Sequence, residues 1–305
     1  MRALDRVDLR VQAGELLGVL GESGSGKSSL ATALMRLLPV HARCDKGEIV
    51  FRGRNLAELR ESELRPIRGK EISLIPQDPA LSLNPVMTVG TQIAEVLRAH
   101  LPSSRKERRA RVFELLHEVG FEEPAKTHDV YPHQLSGGQR QRIVIAQALA
   151  CRPALLIADE PTSNLDASLR TEIMELLAGT RERWGTTVIV ISHDPALLAG
   201  FADRVAVMYA GQVVEVGPTF QIFGQPLHPY TRALVTLANT ALIGKKAGIA
   251  RFPTIPGELP NPCSHSSGCR FEPRCSDRLD LCRHNNPCEV SLEPARLVSC
   301  FKYVE

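Results

Sequence analysis

Gly21-Glu22-Ser23-Gly24-Ser25-Gly26-Lys27-Ser28 is the stretch on which the fold class turns. Residues 15–20 (ELLGVL) precede it as an apolar run of strand length, and 27–38 follow as a helical segment. A glycine-rich turn between strand and helix, ending in Gly-Lys-Ser, is the arrangement that cradles phosphates. Its glycines let successive backbone N–H groups turn inward, and the helix start at Lys27 adds a positive dipole end. Lys27 is set to bridge the β- and γ-phosphates of a nucleotide and the Ser28 hydroxyl to ligate Mg²⁺. Gly21, Glu22, Ser23, Gly24, Ser25, Gly26 and Ser29 complete the expected cradle.

Such a loop needs a carboxylate for the metal at the end of a buried strand. Leu155-Leu156-Ile157-Ala158-Asp159 supplies it, so Asp159 is expected to hold Mg²⁺ through water. Glu160 comes next, placed to polarise an attacking water. Strand and helix alternate on either side: 48–51, 71–75 and 187–191 read as strands, while Leu169, Ile173, Leu176 and Leu177 form one helical face. Residues 204–208 and 212–216 read as a hairpin turning at Ala210-Gly211. The order predicts an α/β fold with a parallel sheet and crossover helices, interrupted by a mostly helical insertion at about 78–150. In that insertion 91–119 takes a helical period, and the basic run 104–111 reads as a solvated helix face.

Composition excludes several classes. The 305 residues are 43% hydrophobic and 23% charged, which does not describe a disordered, collagenous or membrane-spanning chain. The apolar runs 154–158 and 188–191 fall far short of the ~20 residues of a spanning helix. Residues 1–10 are charged, so no signal peptide is expected. A net charge of +3 is too mild to argue for nucleic acid. Cys44 and Cys151 stand alone, whereas Cys263, Cys269, Cys275, Cys282, Cys288 and Cys300 crowd a tail rich in Pro, Gly and His. That clustering favours a metal site over disulfides.

Leu135-Ser136-Gly137-Gly138-Gln139-Arg140-Gln141-Arg142 resembles the signature motif of ABC ATPases. Around it, Gln77 in Ile-Pro-Gln-Asp-Pro resembles the Q-loop, Ser163-Asn164-Leu165-Asp166 the D-loop and His193 the switch histidine. The resemblance implies a P-loop NTPase of the ABC type, a RecA-like core with a helical subdomain. It implies that two subunits pair head to tail, with Ser136, Gly137, Gly138 and Gln139 closing on the partner's ATP. Serine and two glycines opening a helix make a second anion cradle, in keeping with that arrangement. In the family's terms Glu160 is the general base, His193 contacts the γ-phosphate, and Gln77 touches metal and water. The insertion behind Gln77 is where this superfamily meets its membrane partner.

Pro226-Leu227-His228-Pro229-Tyr230-Thr231, Ile255-Pro256-Gly257 and Gly268-Cys269-Arg270-Phe271-Glu272-Pro273-Arg274-Cys275 are similar to the tail of dipeptide, oligopeptide and nickel importer ATPases. Residues 210–215 and Ser82-Leu83-Asn84-Pro85 are similar to that branch too. The resemblance implies a cassette over 1–217 and a small Cys-rich C-terminal module over 218–305. It implies ATP hydrolysis that powers uptake of peptides or nickel at the cytoplasmic face of a bacterial or archaeal membrane. Its expected partners are a second, paralogous ATPase subunit, two membrane permease subunits and an extracytoplasmic binding protein. Cys269, Cys275, Cys282 and Cys300 match the positions the family uses for an iron–sulfur cluster, and Cys263 and Cys288 are extra. Four thiolates suit either [4Fe–4S] or tetrahedral zinc.

The family's first strand and its adenine-stacking aromatic would lie before residue 1, and no aromatic precedes Phe51. The expected explanation is a start further upstream, the alternative a form without that edge strand. Asn164 stands where alanine is common. A soluble, non-transport ABC ATPase and a nucleotide-binding regulator that does not hydrolyse are the competing classes.

Overall fold

The central strands Leu16–Leu20, Leu155–Asp159, Thr187–Ser192 and Arg204–Tyr209 form where the sequence places short apolar runs. The computed structural model describes residues 2–247, 254–261, 267–293 and 295–304, with the backbone alone for 241–247. Its strands in chain order are β1 (Leu16–Leu20), β2 (Val50–Phe51), β3 (Arg54–Asn55), β4 (Ile72–Ile75), β5 (Leu155–Asp159), β6 (Thr187–Ser192), β7 (Arg204–Tyr209), β8 (Gln212–Pro218), β9 (Val290–Glu293) and β10 (Arg296–Val298). The chain divides into two compact units, one of Met1–Val11, Leu16–Leu30 and Ile191–Glu305, the other of Gln12–Glu15 and Ala31–Val190.

In the first unit the strand order is β1-β7-β8-β10-β9. β1 and β7 are parallel, with Leu20 opposite Val207, and both are buried throughout apart from Arg204. β7 and β8 form the expected hairpin, turning through Ala210 (φ 45°) and Gly211 (φ 84°). The cysteine-bearing tail joins the same sheet, since β10 pairs antiparallel with β8. Helix Pro195–Phe201 lies over β1, where a side chain at Gly18 would press on Leu198 at 3.0 Å. The Asp203 carboxylate accepts the Leu16 N–H at 2.9 Å, pinning the start of β1.

Under the long helix Pro229–Ala247 sits an aromatic cluster of Tyr209, Tyr230 and Phe271, with ring centres 4.7–5.4 Å apart. Glu215, on β8, is buried against Arg296 at 2.9 Å. The same carboxylate accepts the Leu227 and His228 N–H groups at 3.0 and 2.9 Å. Burial pushes the His228 imidazole down to about 3, with the Arg232 charge adding to it, so the ring is neutral. Its Nδ1 accepts the Tyr230 N–H at 3.1 Å.

In the second unit the order is β4-β5-β6, with β4 and β5 parallel and Ile75 opposite Ala158. Helices Val89–His100, Arg105–Glu118 and Gly137–Leu149 pack through Ile93, Leu97, Val112, Leu115, Leu116, Ile143 and Ile145, all essentially inaccessible to solvent. The continuous helical period expected over 91–119 is broken around Pro102. The chain re-enters helix at Ser104, whose hydroxyl accepts the Glu107 N–H at 3.2 Å while the Glu107 carboxylate accepts the Ser104 N–H at 2.7 Å. The strand expected at 48–51 shrinks to β2, paired with β3.

The helix expected over 27–38 ends at Leu34. Arg36 takes φ 51°, and the Arg36 and Leu37 N–H groups donate to Ala33 and Thr32 oxygens at 2.9 and 2.8 Å. These two bonds satisfy the last carbonyls and stop the helix. Glycine is the usual residue in that left-handed position, so an arginine there gave no stop signal to read.

Candidate functional site

The phosphate loop leaves the carboxyl end of β1, where open α/β sheets bind their ligands. A Cβ on Gly21 would overlap the Met208 carbonyl oxygen and lie 2.6 Å from Ser25 Oγ, so the backbone passes where no side chain fits. Gly26 takes φ 102°, a conformation open to glycine alone. Lys27 is 5% exposed, and its ammonium lies inside the loop, donating to the Gly21 and Glu22 oxygens at 2.7 and 3.0 Å. Ser25 is fully buried, and its Oγ has no hydrogen-bond partner among the described residues. Ser28 is exposed at the first turn of helix Lys27–Leu34. Together these give a cradle of glycine backbone, one ammonium and hydroxyls, which fits a phosphate chain with an oxygen-ligated cation.

Sequence reasoning gave no role to two residues that hold this loop. The Glu22 N–H donates to the Tyr230 hydroxyl at 2.9 Å. The Glu22 carboxylate takes both arms of the Arg274 guanidinium at 2.8 and 3.1 Å. Burial raises the Tyr230 phenol, so it remains a hydroxyl, and the hydrogen bonds to Glu22 raise Arg274, which stays charged. Nearby, the Gly211 N–H donates to the Ser25 oxygen at 2.7 Å, and the Asp5 N–H to the Gly211 oxygen at 2.9 Å. Arg270 ties Asp5 at 2.7 Å and also donates to the Ala210 oxygen. His193 is exposed in the same unit, one residue past β6, just before Asp194 caps the next helix.

In the second unit Gln77 and the Asp159-Glu160 pair leave adjacent parallel strands at the same end. Gln77 is exposed two residues beyond β4. Asp159 is the last residue of β5 and is 7% exposed, with oxygen donors that suit Mg²⁺. Glu160 takes φ 47°, in the left-handed region where non-glycine residues are uncommon. Ser136 caps helix Gly137–Leu149: its Oγ accepts the Gln139 N–H at 3.3 Å, and Gln139 Oε1 accepts the Ser136 N–H at 3.0 Å. Ser136, Gly137 and Gln139 are exposed, nothing stands within 4 Å of a Cβ on Gly137, and a Cβ on Gly138 would press on Leu169 at 2.9 Å.

Cys269, Cys275, Cys282 and Cys300 line one pocket, together with Phe271, Leu279 and Pro287. Cys263 lies outside the described residues, and Cys288 is exposed. Every described cysteine is a free thiol. Burial pushes the Cys269 thiol up to about 11 and raises Cys275 and Cys300 as well. Four thiols around one apolar pocket fit an iron–sulfur cluster by donor chemistry. Among the described residues, however, no group of three or more His, Cys, Asp or Glu side chains is gathered as for a metal ion. The expected metal-bound module is therefore seen only as this common pocket.

Residues 4–163 match the family model described as ABC transporter. The chain belongs to the ABC transporter family. Residues 214–282 match a second model of that family, the oligopeptide/dipeptide transporter C-terminal region. The chain is 43% identical to the dipeptide transport ATP-binding protein DppD of Escherichia coli over 98% of its own length and 90% of DppD's. It is 44% identical to the oligopeptide transport ATP-binding protein OppD of Salmonella typhimurium, over 99% and 89%. A probable peptide ABC transporter ATP-binding protein, y4tR of Sinorhizobium fredii, is 43% identical over 99% and 89%. Among solved structures, the dimeric ATP-binding cassette MJ0796 in a post-hydrolysis state with ADP and Pi matches at TM-score 0.64 and 33% identity, covering 71% of this chain and 90% of that one. CbiO1 of Clostridium perfringens matches at TM-score 0.65 and 28% identity, over 81% and 92%. The α/β cassette fold and ATP as its nucleotide follow from this membership, and the non-transport alternative finds no support. No described helix of this ABC ATPase is long and apolar enough to cross a membrane.

Proposed function

We propose that this chain is the ATP-hydrolysing subunit of an importer for peptides, bound peripherally at the cytoplasmic face of the membrane. The observation that carries the reading is the oligopeptide/dipeptide transporter C-terminal region at 214–282, joined to a cassette with an intact phosphate loop. Its partners in this reading are a paralogous second ATPase subunit, two membrane permeases and an extracytoplasmic binding protein. The cassette occupies 1–217, with the helical 78–150 facing the permease, and 218–305 forms the importer-type region.

On ATP, the loop from Gly21 to Ser29 wraps the phosphates, and Lys27 leaves its carbonyl partners to bridge the β- and γ-phosphates. Ser28, Gln77 and Asp159 would each offer an oxygen donor to Mg²⁺, which would supply charge neutralisation on the phosphate chain. Glu160 takes a proton from the attacking water, and His193 orients the γ-phosphate. Ser136, Gly137, Gly138 and Gln139 receive the γ-phosphate of the partner's nucleotide on a helix start. Cys269, Cys275, Cys282 and Cys300 would be the thiolates to hold a [4Fe–4S] cluster as a structural staple, zinc being the other metal such donors accept. Support for the cluster comes from their common pocket.

The test is uptake of labelled di- and tripeptides by cells lacking this chain, complemented with wild type or Glu160→Gln. Wild type restores uptake, and Glu160→Gln lowers it by at least about a hundredfold while retaining ATP. Peptide uptake that does not depend on the chain would remove the substrate class. Equal turnover by purified Glu160→Gln would remove Glu160 as base.

A further inference from the structure

Glu22 places a carboxylate in a loop expected to bind a polyanion. Its carboxylate adds a negative charge where the phosphates lie, and like charges in partly desolvated surroundings repel strongly. The first unit answers that charge from the far end of the chain. The Arg274 side chain, only 5% exposed, forks onto the Glu22 carboxylate with two parallel hydrogen bonds. The guanidinium is itself fixed by the Pro256 and Ile255 oxygens at 2.9 and 3.3 Å and lies 5.8 Å from the centre of the Tyr209 ring. A two-armed, part-buried, charge-assisted pair of this kind is stronger than a fully exposed ion pair. The same residue is held through its backbone, by the Tyr230 hydroxyl on its N–H and Lys27 on its carbonyl.

We propose that Arg274 is a positioning residue of the ATP site: from the C-terminal region it neutralises and orients Glu22, and so makes the phosphate loop acceptable to ATP. The inference rests on the loop being where ATP binds, and it adds a device the cassette region alone does not contain. Removing the guanidinium leaves an uncompensated carboxylate beside the phosphates. Removing both charges together leaves a neutral pair.

The experiment is equilibrium titration of the full chain with MgATP, comparing wild type, Arg274→Met, Glu22→Gln, the double variant and Lys27→Ala. Arg274→Met should weaken MgATP binding about tenfold, the scale of one charge-assisted hydrogen bond. Glu22→Gln sets the affinity of a loop without the carboxylate, and the double variant should return to the Glu22→Gln level. That rescue separates charge compensation from a merely structural loss, which a second substitution would deepen. Where Arg274→Met does not fold, Arg274→Gln is measured in its place with the same expectation. Unchanged affinity on losing the guanidinium, or a double variant as weak as the single, overturns the proposal while Lys27→Ala still abolishes binding. MgATP binding that survives Lys27→Ala would instead remove the loop from the ATP site, and Arg274's role with it.

Discussion

The phosphate loop and the signature loop are built from the same materials, glycine and serine at a helix start, yet they sit in opposite surroundings. In the first, Ser25 and Lys27 are buried, and Glu22 is held from three directions by groups of its own unit. In the second, Ser136 and Gly137 stand in solvent, and Gly137 has nothing within 4 Å of a Cβ. The helix under it is firmly capped by the Ser136–Gln139 box, so its backbone is ordered while its outer face is open. The phosphate loop is braced by its own unit, whereas the signature loop is capped but uncovered, the state that the proposed pairing with another subunit would use.

The largest expected effect tests the closed loop. Lys27→Ala should weaken MgATP binding by the single chain at least about a hundredfold, since it deletes the one ammonium inside the cradle. Near-normal affinity in a titration of that variant would break the comparison at its firmer end. Next comes the open loop. Gly137→Glu, which meets no steric obstacle, sets a carboxylate at the second anion cradle, and turnover should fall about a hundredfold. The single chain should meanwhile still bind MgATP within about twofold of wild type, the defect lying in ATP-dependent pairing seen by size-exclusion chromatography. Parallel loss of affinity in the single chain would show that the two loops are not separate devices.

The smallest effect concerns what supports the closed loop from behind. His228, next but one to Tyr230, is neutral because burial lowers it to about 3 from an ordinary value near 6.5. The unfolded chain therefore takes up a proton that the folded chain refuses. Its contribution is fully present above pH ~6.5 and is lost as the pH falls towards 3, at about 1.4 kcal/mol per pH unit. Denaturant unfolding at pH 7 and pH 5 should register that slope, and His228→Asn should flatten it. An equal slope in both proteins would place the titration elsewhere.

Most of the cassette could be read from the chain because its signals are local. A strand, a glycine turn and Lys27 lie within a dozen residues, and Asp159 and Glu160 follow directly on an apolar run. Ser136 and Gln139 carry their capping bonds at i, i+3, a spacing visible without any structure. Readings failed where no local signal existed. Arg36 ends its helix in a conformation that glycine usually announces. The place of the tail carried no local mark either: β10 extends the sheet along β8, a pairing between residues some eighty positions distant.

Sequence by itself put the candidate chemistry on offer: a phosphate loop, a candidate metal carboxylate, a candidate base, a candidate second anion cradle and a crowd of thiols. Tertiary structure alone decided what holds the loop in shape. Arg274 and Glu22 are 252 residues apart, and Tyr230 and Glu22 are 208 apart. An arginine and a tyrosine carry no mark in one dimension of the carboxylate or amide they will meet. That choice belongs to tertiary packing, in which Tyr209, Tyr230 and Phe271 hold the C-terminal region against the strand beside the phosphate loop.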